Sequence, residues 1–214
     1  MARQFKRSRH GVTAHLEPEE VELLERLFAD VARLLVGDEA SAATPDWVAE
    51  LGLGDLALHG VGSEHALELP QDPALARLLP DGRRDDPVGS AEFRRFTEHG
   101  LRDRKRTGLA TAQQALASWA ANPSSKQRLT LDQARAWTTA LTDVRLVLAE
   151  RLGIRTDEDV QALHEREDEA DDLGPASWLA SVYDFTTWVQ ESLTEVLLED
   201  LPEHGDGRRI PPQV

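Results

Sequence analysis

The chain has 214 residues, with 24 Lys and Arg against 39 Asp and Glu, and its formal net charge is −15 at pH 7. It contains no cysteine, and Met1 is its only methionine, which excludes disulfides, thiolate metal sites and redox sensing by its own sulfur. The acidic balance disfavours unspecific attraction to DNA or anionic lipid, and no apolar run reaches the roughly 18 residues that a membrane-spanning helix needs.

Residues 1–16 predict a short β-hairpin. Their apolar side chains are spaced as in strands on both sides of a turn at His10 and Gly11. The segment is basic, but it lacks the apolar stretch that follows the basic residues of a secretory signal. We therefore expect the protein to be cytoplasmic.

Four longer segments have apolar residues at three- and four-residue steps, the spacing of helices that bury one face. These predicted helices cover residues 18–36, 90–121, 130–152 and 175–200. Thr130 and Gln133 have the spacing of a capping box, and Ser90 is a candidate cap for the second helix. Gly100 and Gly108 each weaken that helix by ~1 kcal/mol relative to alanine, so we expect a kink or break near one of them.

Shorter patterns separate these helices. The stretch "DPALARLLPDG" predicts one or two helical turns, and "TPDWVAELGLG" a short helix anchored by Trp47. The stretch "ANPSSKQR" is typical of a loop. Residues 156–173 predict an acidic connector with at most one short helix.

Together these elements predict a mainly α-helical fold: a compact bundle of four to five main helices with a short N-terminal β-hairpin. Residues 1–200 are expected to form a single domain. Residues 201–214 are expected to be a flexible C-terminal tail.

No motif in the sequence indicates a metal, a cofactor or a catalytic centre. The seven histidines are scattered and never form the HExxH arrangement of a zinc site. His59, Glu64 and His65 lie close together, but their spacing is unspecific. Because phosphate-binding glycine loops and nucleophile elbows are also missing from the sequence, we expect no metal, no cofactor and no enzymatic activity.

One segment, residues 91–109, reverses the charge of its surroundings. It holds six basic and three acidic residues, whereas the rest of the chain holds 18 basic and 36 acidic ones. It has three interpretations: a solvated helical face, a set of partners for the acidic helices, or a nucleic-acid surface completed by the basic N-terminus. The residues considered for nucleic-acid or partner contact are Arg3, Lys6, Arg7, Arg9, Arg104, Lys105 and Arg106.

A second set of candidate residues forms an expected ion-pair cluster. Asp143 and Arg145 lie two positions apart on a helix, so they point to different faces, and Asp143 requires a partner from elsewhere. We expect an arginine of residues 94–106, because arginine binds carboxylates through two parallel hydrogen bonds. The cluster comprises Arg94, Arg95, Arg102, Asp143, Arg145, Gln190 and Glu191.

The aromatic side chains of two helices are expected to be buried. Phe93 and Phe96 fit the core face of the second helix, which would make the first half of the basic segment partly buried and leave residues 103–106 exposed. Trp178, Tyr183 and Trp188 are interpreted as core residues of the last helix rather than as a surface for stacking a cofactor.

Four stretches in one order, "DPALARLLPDG", "AEFRRFTEHGLRDRKR", "AWTTALTDVRLVLAERLG" and "YDFTTWVQESLTEVLLE", resemble the actinobacterial domain-of-unknown-function family 2017. The matching positions are Pro80, Phe93, Arg94, Thr97, Arg102, Trp137, Asp143, Arg145, Leu146, Gln190 and Glu191. The resemblance implies a cytoplasmic protein without established catalysis, in a family whose genes lie near those for a Clp-protease adaptor and for a sulfur-carrier route to cysteine. One member is named as an oxidative-stress transcriptional regulator with sensing through cysteine oxidation, and this chain departs there because it has no cysteine.

These observations lead to three functional hypotheses. The first is a non-enzymatic regulatory protein that contacts the transcription or Clp-protease machinery near Asp143 and Gln190, uses its acidic residues 157–172 for a basic partner, or forms a homodimer. The second is direct DNA binding through residues 3–9 and 94–106. The third is a small-ligand binder or an uncharacterised enzyme, which requires Asp143, Arg145 or Glu191 to converge in a pocket.

Overall fold

The computed structural model describes residues 3–9, 11–36, 70–82, 86–121, 127–169 and 174–199. The mainly α-helical fold expected from the sequence is confirmed: six helices and three short strands are found within these ranges. In chain order they are β1 (Arg3–Ser8), β2 (Gly11–His15), α1 (Pro18–Val36), α2 (Pro73–Leu78), α3 (Pro87–Ala121), β3 (Arg128–Leu129), α4 (Leu131–Leu152), α5 (Asp157–Glu169) and α6 (Pro175–Leu198).

The N-terminal hairpin belongs to a three-stranded antiparallel sheet with the strand order β1–β2–β3. The sequence predicted β1 and β2 but not β3, which is only two residues long and pairs Val12 with Leu129. Gly11 begins β2 at a φ of +130°, a backbone conformation that other residues rarely adopt. A Cβ there would overlap the Leu129 carbonyl oxygen, so glycine allows β2 and β3 to meet.

The central helix is α4, which packs against α1, α2, α3 and α6. Its Trp137 is completely buried, with the rings of Phe5, Phe28 and Trp119 at centroid distances of 6.4, 5.7 and 5.2 Å. These rings come from β1, α1 and α3, so one side chain joins the sheet to three helices. Aromatic contacts of this kind add to the free energy of burial itself.

Helix α4 begins and ends as the sequence predicts. Thr130 accepts a hydrogen bond from the Gln133 backbone N–H, and the Gln133 side chain accepts one from the Thr130 backbone N–H. Gly153 adopts a left-handed conformation at φ 73° and closes the helix. Because both signals act within a few residues, the local sequence is sufficient to set the two ends of this helix.

Helix α3 begins earlier than expected and has no break at its two glycines. The helix begins at Pro87 rather than at residue 90, so Ser90 is a buried residue inside the first turns and not a cap. The helix also continues without a break through Gly100 and Gly108. At either glycine, a Cβ would have open space around it, so no packing contact there interrupts the helix.

The acidic connector contains a helix of 13 residues, α5. Asp159 accepts hydrogen bonds from the backbone N–H groups of Arg155 and Thr156 at 2.8 and 2.9 Å. These bonds hold the pKa of Asp159 below its ordinary value. They also stabilise the first turn of α5.

The segment around Trp47, the group of His59, Glu64 and His65, and residues 201–214 lie outside the described residues. Within the ranges given above, no helix combines the length and the apolar character that crossing a membrane requires.

Candidate functional site

Two arginines of α3 are buried and have structural partners. Arg94 forms an ion pair with Asp81, in the turn that follows α2. Arg102 donates from Nε and Nη2 to Glu98 Oε1 at 3.1 and 2.7 Å, and from Nη1 to the Leu35 carbonyl oxygen at 2.7 Å. Leu35 lies in the last turn of α1, whose carbonyl groups have no partner within the helix. Arg102 therefore fixes the end of α1 against α3, and it is not the partner of Asp143.

The partner of Asp143 is Lys105, with Nζ 2.5 Å from Oδ1. The expectation of an arginine is therefore wrong, although the donor does come from residues 94–106. Asp143 is buried, and its second oxygen, Oδ2, has no hydrogen-bond partner. Burial raises the pKa of Asp143 above its ordinary value, while the hydrogen bond and charge of Lys105 act in the opposite direction.

Arg145 points to α6, on a different side of α4 from Asp143. Its Nη1 donates to Gln190 Oε1 at 2.8 Å, and its Nη2 lies 3.4 Å from the Tyr183 hydroxyl. The guanidinium carbon is 5.4 Å from the centroid of the Tyr183 ring, within the range of a cation–π contact. Gln190 also donates to Thr142 Oγ1 at 2.7 Å. Contacts with uncharged side chains therefore hold Arg145 in place.

Phe93 and Phe96 of α3 are exposed, contrary to the expectation that they are partly buried. Phe96 is 71% exposed and Phe93 51% exposed, and Val88 on the same helix is 81% exposed. The guanidinium of Arg95 lies over the Phe96 ring, 4.8 Å from its centroid. We call Phe93, Phe96 and Arg95, whose guanidinium covers the Phe96 ring, the outer face of α3.

The exposed Phe96 and the buried Arg94 lie on opposite sides of α3. Successive residues are rotated by about 100° around a helix axis, so these two side chains are roughly 160° apart. Trp178 is also mostly exposed rather than part of the core, whereas Tyr183 and Trp188 pack against the core as expected. Arg104 and Arg106 are exposed, as the sequence predicts. The same prediction is wrong for Lys105, because its side chain is largely buried against Asp143.

Asp143, Arg145 and Glu191 do not converge. Asp143 contacts α3, Arg145 contacts α6, and Glu191 is exposed. In the part of the chain that the structure describes, no three His, Asp or Glu side chains form a group that could hold a metal ion.

The two basic segments lie at opposite ends of α1. Strand β2 is followed directly by α1, which places the hairpin with Lys6, Arg7 and Arg9 at the start of that helix. Arg102 contacts Leu35 at the other end. At 1.5 Å per residue, these two ends are roughly 27 Å apart, so residues 3–9 and 94–106 do not lie side by side.

A groove and a smaller cavity that adjoin the described residues bear on the candidate site. A groove of about 1030 Å³ lies between the sheet and α1, and its charged lining includes Lys6, Glu22 and Glu25. A smaller cavity of about 290 Å³ lies between α2, α4, α5 and α6. Arg145 lines the smaller one, together with Arg77 and other residues that the sequence did not single out, because their side chains come from four separate segments.

The comparison with known proteins identifies relatives over most of the chain. Proteins from Mycobacterium bovis and from two strains of Mycobacterium tuberculosis, each named "Oxidative stress regulator AosR", are 32% identical to this chain over 198 residues, which is 86% of this chain and 80% of theirs. No solved structure matches the chain. The family model of the domain of unknown function DUF2017 matches residues 2–197. The chain therefore belongs to the DUF2017 family.

Proposed function

We propose that this protein is a non-enzymatic regulatory protein that acts by binding a partner protein through the outer face of α3. The regulatory part of the proposal is supported by the similar mycobacterial proteins, which are named oxidative stress regulators. The part about protein contact rests on one observation: α3 exposes two phenylalanines three residues apart, with an arginine over the ring of one of them.

Exposed apolar clusters in soluble proteins mark interaction sites more often than single exposed apolar residues do. Phenylalanine and arginine are enriched in protein interfaces, where a few such residues contribute most of the binding free energy. Arg95 over the Phe96 ring combines both types in one contact. Phe93 is also held in place, because its ring lies against Gly82, where a Cβ would collide with it.

The charge of this surface indicates the chemistry of the partner. The outer face is followed along α3 by the exposed Arg104 and Arg106, whereas the chain as a whole has a net charge of −15. A partner with an acidic, partly apolar surface matches α3, because local charge complementarity would fix the orientation of the two proteins.

The absence of cysteine constrains how such a regulator responds to oxidants. Thiol oxidation within the 214 residues cannot be the switch, since the sequence has no thiol. A response to oxidants would therefore come from the partner or from a bound ligand. The non-enzymatic part of the proposal is supported by the separation of Asp143, Arg145 and Glu191, which point to three different surroundings.

The test is affinity purification from the native host with the wild-type protein, with Phe96→Glu and with Trp178→Glu. Trp178 is a matched control, because it is an aromatic residue that is 58% exposed on a different helix. We expect the same protein to be recovered with the wild type and with Trp178→Glu, and to be lost with Phe96→Glu. Equal recovery with all three proteins would contradict a role of the outer face.

Direct DNA binding is the competing outcome. It predicts a mobility shift of DNA at low salt that weakens steeply as salt rises and that Arg104→Ala with Arg106→Ala reduces. If such a shift is unaffected by Phe96→Glu, DNA binding through the basic residues replaces the proposal. If no shift occurs even at low salt, direct DNA binding is excluded.

A further inference from the structure

We propose that the smaller cavity binds a small molecule that carries a carboxylate or phosphate group. The cavity has a volume of about 290 Å³. Its polar lining consists of three arginines, three hydroxyl groups and one carboxylate, and we call it the arginine cavity: Arg77, Arg145, Arg155, Thr142, Thr156, Tyr183 and Asp157. Arginine is suited to such ligands because its planar donor fork matches the geometry of both groups.

Arg145 supplies a positive charge that no carboxylate neutralises within the described part of the chain. Its hydrogen-bond partners are the neutral groups of Gln190 and Tyr183. Its Nε is shielded from solvent and has no acceptor. A half-buried cation is costly unless an anion compensates its charge, and an oxyanion in the adjoining cavity would do so.

The same network makes Arg145 rigid. Gln190 accepts from Arg145 and donates to Thr142 Oγ1 at 2.7 Å, which fixes the orientation of the amide. Tyr183 stacks against the guanidinium from α6. Because the arginine is already held in one orientation, binding of a ligand would cost little side-chain entropy.

The two other arginines share one carboxylate. Glu150 lies 3.3 Å from Arg77 Nε and 3.4 Å from Arg155 Nη2. Arg77 Nε is shielded from solvent and makes no hydrogen bond despite that short distance. The three arginines of the cavity therefore exceed the two nearby carboxylates, those of Glu150 and Asp157, by one positive charge.

Two further features limit the ligand. Leu146, Ile154 and Val160 supply an apolar lining, which suits a short hydrocarbon part beside the anionic group. The exposed carboxylate of Asp157 also lines the cavity and opposes an anion there. The volume is at the lower end of the range for ligand pockets, so the ligand is small.

This proposal is independent of the outer face of α3, since none of the residues of that face lines the arginine cavity. A protein that binds its partner normally but binds no oxyanion would contradict only the present inference. A protein that binds an oxyanion but no partner would contradict only the function proposed above.

The test measures the thermal unfolding midpoint and the heat of binding for the full chain with inorganic phosphate and, separately, with succinate. Sodium chloride holds the ionic strength constant. We expect saturable stabilisation by at least one of the two anions, because a ligand that binds only the folded state raises its stability. The anion that binds shows whether the natural ligand carries a phosphate or a carboxylate group. Saturation by neither anion would overturn the proposal.

Two variants separate a cavity effect from a general charge effect. Arg145→Gln is expected to weaken binding at least ~10-fold, equivalent to about 1.4 kcal/mol. Arg135→Gln is the matched control, because it removes the same charge from an exposed position of the same helix and is expected to leave binding unchanged. Equal losses with both variants would show unspecific attraction of anions and would overturn the proposal.

Arg145 also links α4 to α6, so its variant is checked by circular dichroism. If Arg145→Gln does not fold, Arg155→Gln replaces it, since that side chain is 72% exposed and its loss is not expected to prevent folding. Asp157→Asn removes the opposing carboxylate and is expected to strengthen binding. If Arg155→Gln and Asp157→Asn both leave the affinity unchanged, the cavity does not bind the anion.

Discussion

Lys105 Nζ lies 2.5 Å from Asp143 Oδ1, and this pair connects α3 to the central helix α4. Both side chains are largely removed from solvent, and Asp143 Oδ2 has no hydrogen-bond partner. Attraction between buried charges has to offset the free energy lost when they leave water. Removal of either side chain is therefore expected to lower the free energy of unfolding.

Lys105→Met is expected to lower the free energy of unfolding by about 3–5 kcal/mol, because it leaves the Asp143 carboxylate buried without a counter-charge. The double variant Lys105→Met with Asp143→Leu is expected to recover most of this loss, since no unpaired charge remains. Urea unfolding measures both variants. The control is the exposed pair Arg135 and Asp132, whose disruption is expected to cost less than ~1 kcal/mol. If the double variant is as unstable as the single one, the loss comes from packing rather than from charge.

Asp143 and Asp72 are expected to make the stability of the protein depend on pH in opposite directions. Burial raises the pKa of Asp143 in the folded protein, so the folded state retains its proton to a higher pH than the unfolded chain does. The protonated Asp143 therefore adds to the free energy of unfolding below its ordinary pKa of 3.8, and this stabilisation is lost as the pH rises through its raised pKa. At Asp72, burial also acts to raise the pKa, but hydrogen bonds from Arg151 and the Ala74 backbone outweigh it and lower the pKa.

Unfolding curves of the wild type, Asp143→Asn and Asp72→Asn over a range of acidic pH check these signs. The stability of the wild type relative to Asp143→Asn is expected to fall as the pH rises. Relative to Asp72→Asn, it is expected to rise with pH, because the Asp72 contribution is lost as the pH falls through its lowered value. If the stability of the wild type relative to each variant changes with pH in the same direction, the burial described for Asp143 is contradicted.

Gly11→Ala is expected to destabilise the protein by at least ~2 kcal/mol, since it introduces an unfavourable backbone conformation and a Cβ that overlaps Leu129. Gly153→Ala is the matched control. Gly153 also has a positive φ, of 73°, but a Cβ there would have open space around it, so we expect a loss of only ~1 kcal/mol. Thermal unfolding measures both variants. A smaller loss at Gly11 than at Gly153 would show that β3 moves away from Gly11 without cost.

Gly100→Ala is expected to stabilise the protein by about 0.5–1 kcal/mol, because alanine in the middle of a helix loses less backbone entropy on folding than glycine does. Gly100 is exposed inside α3, and a Cβ there would meet no other group. The midpoint of urea unfolding gives the change. A loss of stability would show that this side of α3 has a neighbour that a Cβ would displace.

The sequence by itself determined the elements that depend on neighbouring residues. The apolar spacing between Pro18 and Val36 predicted the bounds of α1, and the reciprocal bonds of Thr130 and Gln133 form at the start of α4 as predicted. Such signals act within one or two turns of the chain, so an inspection of the sequence is sufficient to recognise them. The pairing of β2 with β3 escaped prediction because β3 contributes only two residues.

The tertiary structure alone decided which side of each helix faces the core. Helical periodicity shows that Arg94 and Arg102 lie away from Phe96, but it does not show which of the two sides is buried. Contacts with Asp81 and with the end of α1 bury the arginines, and Phe96 is exposed as a result. The choice of Lys105 as the partner of Asp143 has the same origin, since the approach of α3 to α4 depends on the packing of the whole bundle and not on the spacing of residues within either helix.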